Sequence, residues 1–143
     1  MLTESAPTLH KKRLIVVCAT LLDVKGRILM AQRPEGKPMS GLWEFPGGKL
    51  ELNETPEQGL CRELEEELTI QVSVEDLLPF TFVTHEYEDF HLLMPVFMCS
   101  KWKGSPIAKE HSQIQWTKPE DMASLSILEA DHQLVQHIIQ IFS

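Results

Sequence analysis

Glu63, Glu66 and Glu67 stand at i, i+3 and i+4. At 100° per residue an α-helix would place the three carboxylates within an arc of about 100° on one face. They end a longer acidic stretch. Residues 51–67 hold seven glutamates and one arginine, a net −6 out of −8 for the whole chain. Like charges at this spacing repel by a few tenths of a kcal/mol per pair, a cost that vanishes if a divalent cation sits among them. Carboxylate oxygens suit hard ions, Mg²⁺ first with Mn²⁺ possible, which keep several waters and accept phosphate oxygens as further ligands. Such ions neutralise a polyphosphate and lower the pKa of a bound water. Arg62, four residues before Glu66, has the reach to hold a carboxylate in place.

A helix must present this face, and its signals are local. Thr55 is placed to cap it, Pro56 fits its first turn, and Gln58 completes a Thr-x-x-Gln capping box. Leu60, Leu64 and Leu68 form an apolar stripe at four-residue spacing. Around the helix the pattern predicts strands over 14–24, 27–33, 42–45, 80–86, 90–99 and 114–116. The first two are expected to form a hairpin across the turn 23–26, and the fourth and fifth across Glu88-Asp89. Pro46-Gly47-Gly48 is expected to stop the 42–45 strand, with 49–54 and 103–112 as loops. A short helical piece is predicted over 119–123 and a terminal amphipathic helix over 129–142. Strands in mixed order around two helices indicate an α/β sandwich.

The chain has 143 residues, 43% of them apolar, enough for one domain with a real core. A net charge of −8 argues against binding a nucleic acid polymer, while phosphates remain accessible through bridging cations. Cys18, Cys61 and Cys99 lack metal spacing and read as reduced core thiols of a cytoplasmic protein. The basic cluster Lys11, Lys12 and Arg13 follows Glu4, the wrong order for a secretory signal. The apolar run 14–22 is about half of what spans a bilayer, so no membrane partner is expected. Residues 1–12 are expected to fray, leaving 13–143 as the single domain, a monomer or weak homodimer.

Gly48-x5-Glu54-x7-Arg62-Glu63-Leu64-x-Glu66-Glu67-x-Thr69-Ile70 resembles the Nudix box of the Nudix hydrolases. Every fixed position matches except Thr69, where the family has glycine. A glycine there usually supplies a left-handed cap, which a β-branched residue adopts only at about 1–2 kcal/mol, so the helix is expected to end differently. The segment 42–49, Leu-Trp-Glu-Phe-Pro-Gly-Gly-Lys, with Glu54-Thr55-Pro56-Glu57, is similar to the MutT branch. That resemblance implies an α/β/α sandwich with a mixed β-sheet, and hydrolysis of an oxidised purine nucleoside triphosphate such as 8-oxo-dGTP by attack at the β-phosphorus. It implies metal ligation by Glu63, Glu66, Glu67, the Gly47 carbonyl and Glu110, with Arg62 supporting. Glu63 is favoured as general base, and Glu110 is its rival. It also implies nucleotide contacts from Arg33, Phe45 and Asp131, although Asp131 is equally a natural N-cap for the last helix. His85, His91, Tyr87 and Trp43 read as strand and core residues. Competing readings are a Nudix enzyme for CTP or dCTP, one for a diadenosine polyphosphate (hinted at by Tyr87), and a non-catalytic Nudix binding module, which the intact glutamates oppose.

Overall fold

The computed structural model describes residues 11–142. The segment expected to fray therefore lies outside the described residues as far as His10. Lys11 is in ordered contact, with its Nζ 2.7 Å from Glu86. In chain order the elements are β1 (Lys12–Leu21), β2 (Ile28–Gln32), β3 (Trp43–Glu44), β4 (Gly47–Lys49), α1 (Pro56–Leu68), β5 (Leu78–Glu86), β6 (Phe90–Cys99), β7 (Gln113–Thr117) and α2 (His132–Phe142). Short 3₁₀ segments lie at Val74–Asp76, Pro119–Ser124 and Glu129–Asp131.

The near-continuous apolar run of β1 is explained by burial on both faces. Val17, Ala19 and Leu21 pack with Leu60, Leu64 and Leu68 of α1, whereas Cys18 faces the cluster containing Met94, Leu134 and Ile138. Each fully buried leucine of the α1 stripe contributes about 1.5–3 kcal/mol. The result is an α/β/α sandwich. β1 pairs in parallel with β6 and antiparallel with β4, and β5 closes a mixed four-stranded sheet in the order β4-β1-β6-β5. An antiparallel sheet in the order β3-β2-β7 completes the fold.

The hairpin expected between the first two strands does not form. Its turn exists: the Asp23 carboxylate accepts from the N–H groups of Lys25 and Arg27 and from the Arg27 side chain. Both edges of β1 are already taken by β4 and β6, so after one bridge, Leu22 with Ile28, β2 leaves for the other sheet. The 42–45 strand stops before Pro46 as expected, but Gly47–Lys49 then form a further strand, β4. Gly47 has φ +152°, and a Cβ there would lie 2.0 Å from the Val17 carbonyl oxygen. Only glycine lets the backbone come this close, and Gly47 to Lys49 pair with Cys18 to Val16. The hairpin between β5 and β6 forms as expected, closed by Tyr87 N–H donating to the Phe90 carbonyl at 2.9 Å. The last α-helix starts at His132, after a 3₁₀ turn that occupies the predicted first residues.

The helix α1 carries the expected capping box. Thr55 Oγ1 accepts from Gln58 N–H at 3.1 Å, and Gln58 Oε1 accepts from Thr55 N–H at 3.0 Å. Its other end departs from expectation. Thr69 adopts φ 60°, ψ 24°, the left-handed cap a glycine would make, and donates its N–H to the Glu65 carbonyl at 3.0 Å. The fold keeps a left-handed helix end and bears the β-branched strain. Thr69→Gly is therefore expected to raise stability by about 1 kcal/mol. Urea unfolding should show a higher midpoint at unchanged slope, and a lower midpoint would contradict the strain.

Candidate active site

The acidic face of α1 is organised by Arg62. Its Nε and one terminal nitrogen bind both oxygens of Glu54 at 2.6 and 3.0 Å. Its other terminal nitrogen lies 3.2 Å from Glu63 and 3.2 Å from Glu66, and a further bond of 3.2 Å reaches the Lys49 carbonyl. The guanidinium holds Glu54 below the usual carboxylate range, and Glu54 in return raises the Arg62 pKa. Glu54 is a positioning residue that the sequence reading quoted within the box without assigning it a role.

Glu63 is half-desolvated against β4. A Cβ on Gly48 would lie 2.4 Å from its carboxyl group, so the glycine makes room for this side chain. Burial raises the Glu63 pKa, and Arg62 opposes that rise. Glu67, one turn on, is only 8% exposed and accepts from Gly47 N–H at 3.2 Å. Desolvation, then the neighbouring charges of Glu63, Glu44 and Glu110, push its carboxyl up to about 9. Glu66 remains largely in solvent on the same face.

The loop before β7 is tied to the end of this helix. Ile107 and Lys109 donate their N–H groups to the Leu68 and Glu67 carbonyls at 3.0 and 3.1 Å. This brings Glu110 into a hollow of about 180 Å³ shared with Glu67, Glu44, His111, Arg33 and Lys37. Four carboxyl groups, Glu63, Glu67, Glu110 and Glu44, thus crowd one region. Among the described residues no three His, Cys, Asp or Glu side chains converge as ready-made metal ligands. Arg62 engages Glu63 and Glu66, and the contact shown by Gly47 is through its N–H. The donor chemistry nevertheless fits a hard divalent cation: all-oxygen, net negative, with a buried carboxyl at its centre that a cation would relieve.

From Glu67 a cleft of about 350 Å³ runs between the sheets. Leu14, Val16, Phe90, Leu92 and Met94 make its apolar wall, and Arg33, Phe45 and Asp131 all border it. The three nucleotide-contact candidates are therefore brought together. Arg33 binds Glu44 at 3.2 Å and the Pro38 carbonyl at 2.8 Å. Phe45 is a core residue on its side-chain side. The Asp131 side chain does not cap α2. It accepts from Phe45 N–H at 3.1 Å, across 86 residues of sequence. The parallel bridge of Trp43 with Ile127 guides the chain there. Burial, opposed by the Phe45 hydrogen bond and reinforced by Glu44, raises the Asp131 pKa to about 7. Tyr87 stacks on Phe90 with centroids 4.6 Å apart, and both border the cleft. Glu44 and His111, bonded at 3.0 Å, were missed by the sequence reading. They lie 67 residues apart, and only the strand address of Glu44 could have drawn notice.

Comparison with known proteins agrees with this geometry. The NUDIX domain family matches residues 17–137. The chain is 42% identical to an 8-oxo-dGTP diphosphatase of Proteus vulgaris over 104 residues, covering 73% of this chain and 91% of that one. It is 33% identical to a CTP pyrophosphohydrolase of Escherichia coli K12 over 126 residues, covering 87% and 90%. Among solved structures, MutT from work on the Aliivibrio salmonicida and Vibrio cholerae proteins superposes with a TM-score of 0.78 at 32% identity, over 92% of this chain and all of that one. The E. coli ORF135 protein gives 0.80 at 31% identity, over 95% of each. The chain belongs to the NUDIX domain family. Within it, it is a MutT-like Nudix hydrolase, an enzyme acting on phosphoric anhydride bonds.

Two outcomes are expected. Gly48→Ala should displace the far end of Glu63 and lower turnover by about 100-fold, since displacements of about 1 Å in an active site have that effect. The melting temperature should barely change, because a flexible carboxyl can move aside; normal turnover would count against Glu63. For Asp131, the folded chain keeps a proton between the ordinary value of 3.8 and about 7 that the unfolded chain has released. Its contribution to stability therefore falls as pH rises through that window. Asp131→Asn retains an acceptor for Phe45 and removes the titration. Its melting temperature relative to the parent should climb from about pH 5 to about pH 8, and a constant difference would refute the assignment.

Proposed function

We propose that this Nudix hydrolase is a Mg²⁺-dependent nucleoside triphosphate pyrophosphohydrolase that converts 8-oxo-dGTP to the monophosphate and pyrophosphate, cleansing the cytoplasmic nucleotide pool. The observation that carries this reading is the two-ended cleft: Glu67 of α1 at one end and the buried carboxyl of Asp131 at the other. Among the described residues Phe45 N–H is the one hydrogen-bond partner of the Asp131 carboxyl, so the group retains capacity for a ligand. A carboxyl group can pair with the N–H groups that an oxidised guanine presents along its edge. The apolar wall and the Tyr87–Phe90 stack suit a flat base, with Arg33 at the cleft and Phe45 beneath.

Glu63, Glu66, Glu67, Glu110 and the Gly47 carbonyl are the groups that would hold the cation. When bound, it supplies neutralisation of the phosphate oxygens and acidification of a water. The chain's own part is to orient the triphosphate and accept a proton. Glu63 takes that role, its desolvation raising basicity in the direction a general base requires, and Glu110 is the competing base. Three free thiols accord with a reducing compartment. Among the described residues no helix is long and apolar enough to cross a membrane.

The CTP reading is kept because of the 33% identity to a CTP pyrophosphohydrolase. The deciding experiment is kcat/KM on 8-oxo-dGTP, dGTP and CTP, with Mg²⁺ and with chelator, for the parent and for Asp131→Ala. The parent should favour 8-oxo-dGTP and lose activity with chelator. Asp131→Ala should shrink the 8-oxo-dGTP over dGTP ratio by about ten-fold or more. A parent preference for CTP, or a ratio untouched by the substitution, would overturn the reading.

A further inference from the structure

The loop that carries Glu110 is fastened on both sides by backbone hydrogen bonds. Lys109 N–H donates to the Glu67 carbonyl at 3.1 Å, and Ser112 N–H donates to the Gln32 carbonyl at 3.0 Å. Between these ties lie Glu110 and His111. Among the described residues neither makes a backbone hydrogen bond outside the helices and strands, and the Glu110 side chain has no partner. What fixes this span is one side chain. His111 is 94% removed from solvent at its side chain, which retains 6% exposure. Its Nε2 lies 3.0 Å from Glu44 Oε2. Glu44 as a carboxylate can only accept, so His111 donates through Nε2. Nδ1, buried and without a partner, is then left as a bare lone pair. An unpaired acceptor is tolerated better than an unpaired N–H, which favours this tautomer. Glu44 is itself fixed from the other side by Arg33 at 3.2 Å. An ordered chain of contacts therefore runs from β3 to the loop and stops one residue from Glu110.

We propose that His111 is the positioning residue for Glu110, acting by clamping its loop to Glu44. The proposal rests on the reading of Glu110 as a group of the metal end. His111 does not touch the reacting atoms in this account. It sets where the neighbouring carboxylate stands relative to Glu67, and through Glu44 it joins that carboxylate to the Arg33 side of the cleft.

The test compares His111→Ala, His111→Gln, Glu110→Gln and the double variant His111→Ala/Glu110→Gln as full-length enzymes. Turnover is measured across a magnesium titration. Mn²⁺ binding is followed separately by electron paramagnetic resonance, with a nonhydrolysable nucleoside triphosphate analogue present. His111→Ala should lower kcat and raise the half-saturating Mg²⁺ concentration by about 10–100-fold, the range for residues that hold metal-site groups in place. The Mn²⁺ titration should move in the same direction as in Glu110→Gln. His111→Gln, whose amide N–H can reach toward Glu44, should recover part of the loss. In the Glu110→Gln background, His111→Ala should add less than about two-fold, because groups acting through one another are not additive. A merely structural histidine would lower the melting temperature without moving the metal dependence. Should the alanine variant fail to fold, His111→Asn, polar but too short to span to Glu44, carries the same expectation. Multiplicative losses in the double variant would overturn the proposal. So would parent-like metal dependence in His111→Ala alongside a damaged Glu110→Gln. Near-normal behaviour of Glu110→Gln itself would instead strike at the Glu110 reading, and the proposal would fall with it.

Discussion

The Arg62 guanidinium is the single cation among seven glutamates in residues 51–67, and four of those glutamates are within 4 Å of it. Without that positive charge the acidic face of α1 would repel itself and scatter its side chains. With it, Glu54 is locked by two parallel hydrogen bonds, the geometry a planar guanidinium matches best. Glu63 and Glu66 are drawn to fixed addresses. A lysine could offer charge at this point but not the same fork. The bond from Arg62 to the Lys49 carbonyl extends the ordering to the end of β4, so one side chain aligns the helix with the strand that faces it. Of Glu63, Glu66 and Glu67, only Glu67 lies outside this network. It is buried, held by Gly47 N–H, and its pKa is raised by desolvation and like charges that a cation would relieve.

What was legible in the sequence followed from local physics. The capping box, the leucine stripe and the carboxylate spacing all act within a few residues, and α1 appears where they place it. The β5–β6 hairpin was readable for the same reason. The β1–β2 hairpin failed because a turn can be sound while the strands after it find other partners. Nothing near Asp23 reveals that β4 and β6 occupy both edges of β1. Pro46-Gly47-Gly48 does interrupt the strand, but Gly47 also marks a close approach to the Val17 carbonyl that starts another one. Of the candidate site, the Nudix resemblance supplied the addresses, and the structure brings Arg33, Phe45 and Asp131 to one cleft with Glu67. The Glu44–His111 bond was not readable, since it joins a strand to a loop 67 residues away.

The two sheets and the helix divide the labour of the site. In the proposed function the phosphates would meet α1 and β4, where carbonyls at the helix terminus take up the loop of Glu110. The base would meet β1, β6 and the segment that follows the bridge of Trp43 with Ile127. Glu44 stands between them. Its charge raises the pKa of both Glu67 and Asp131, so one carboxylate acts on both.

The hydrogen bond from Phe45 N–H to Asp131 has a wider meaning for how such a chain can diversify. The carboxyl that borders the base end also holds in place the backbone leading to Gly47. A side chain lacking an acceptor there would strand a buried N–H, at roughly 1–3 kcal/mol. Exchange between aspartate and asparagine keeps an acceptor for that N–H, whereas an aliphatic replacement carries this stability cost whatever else it changes.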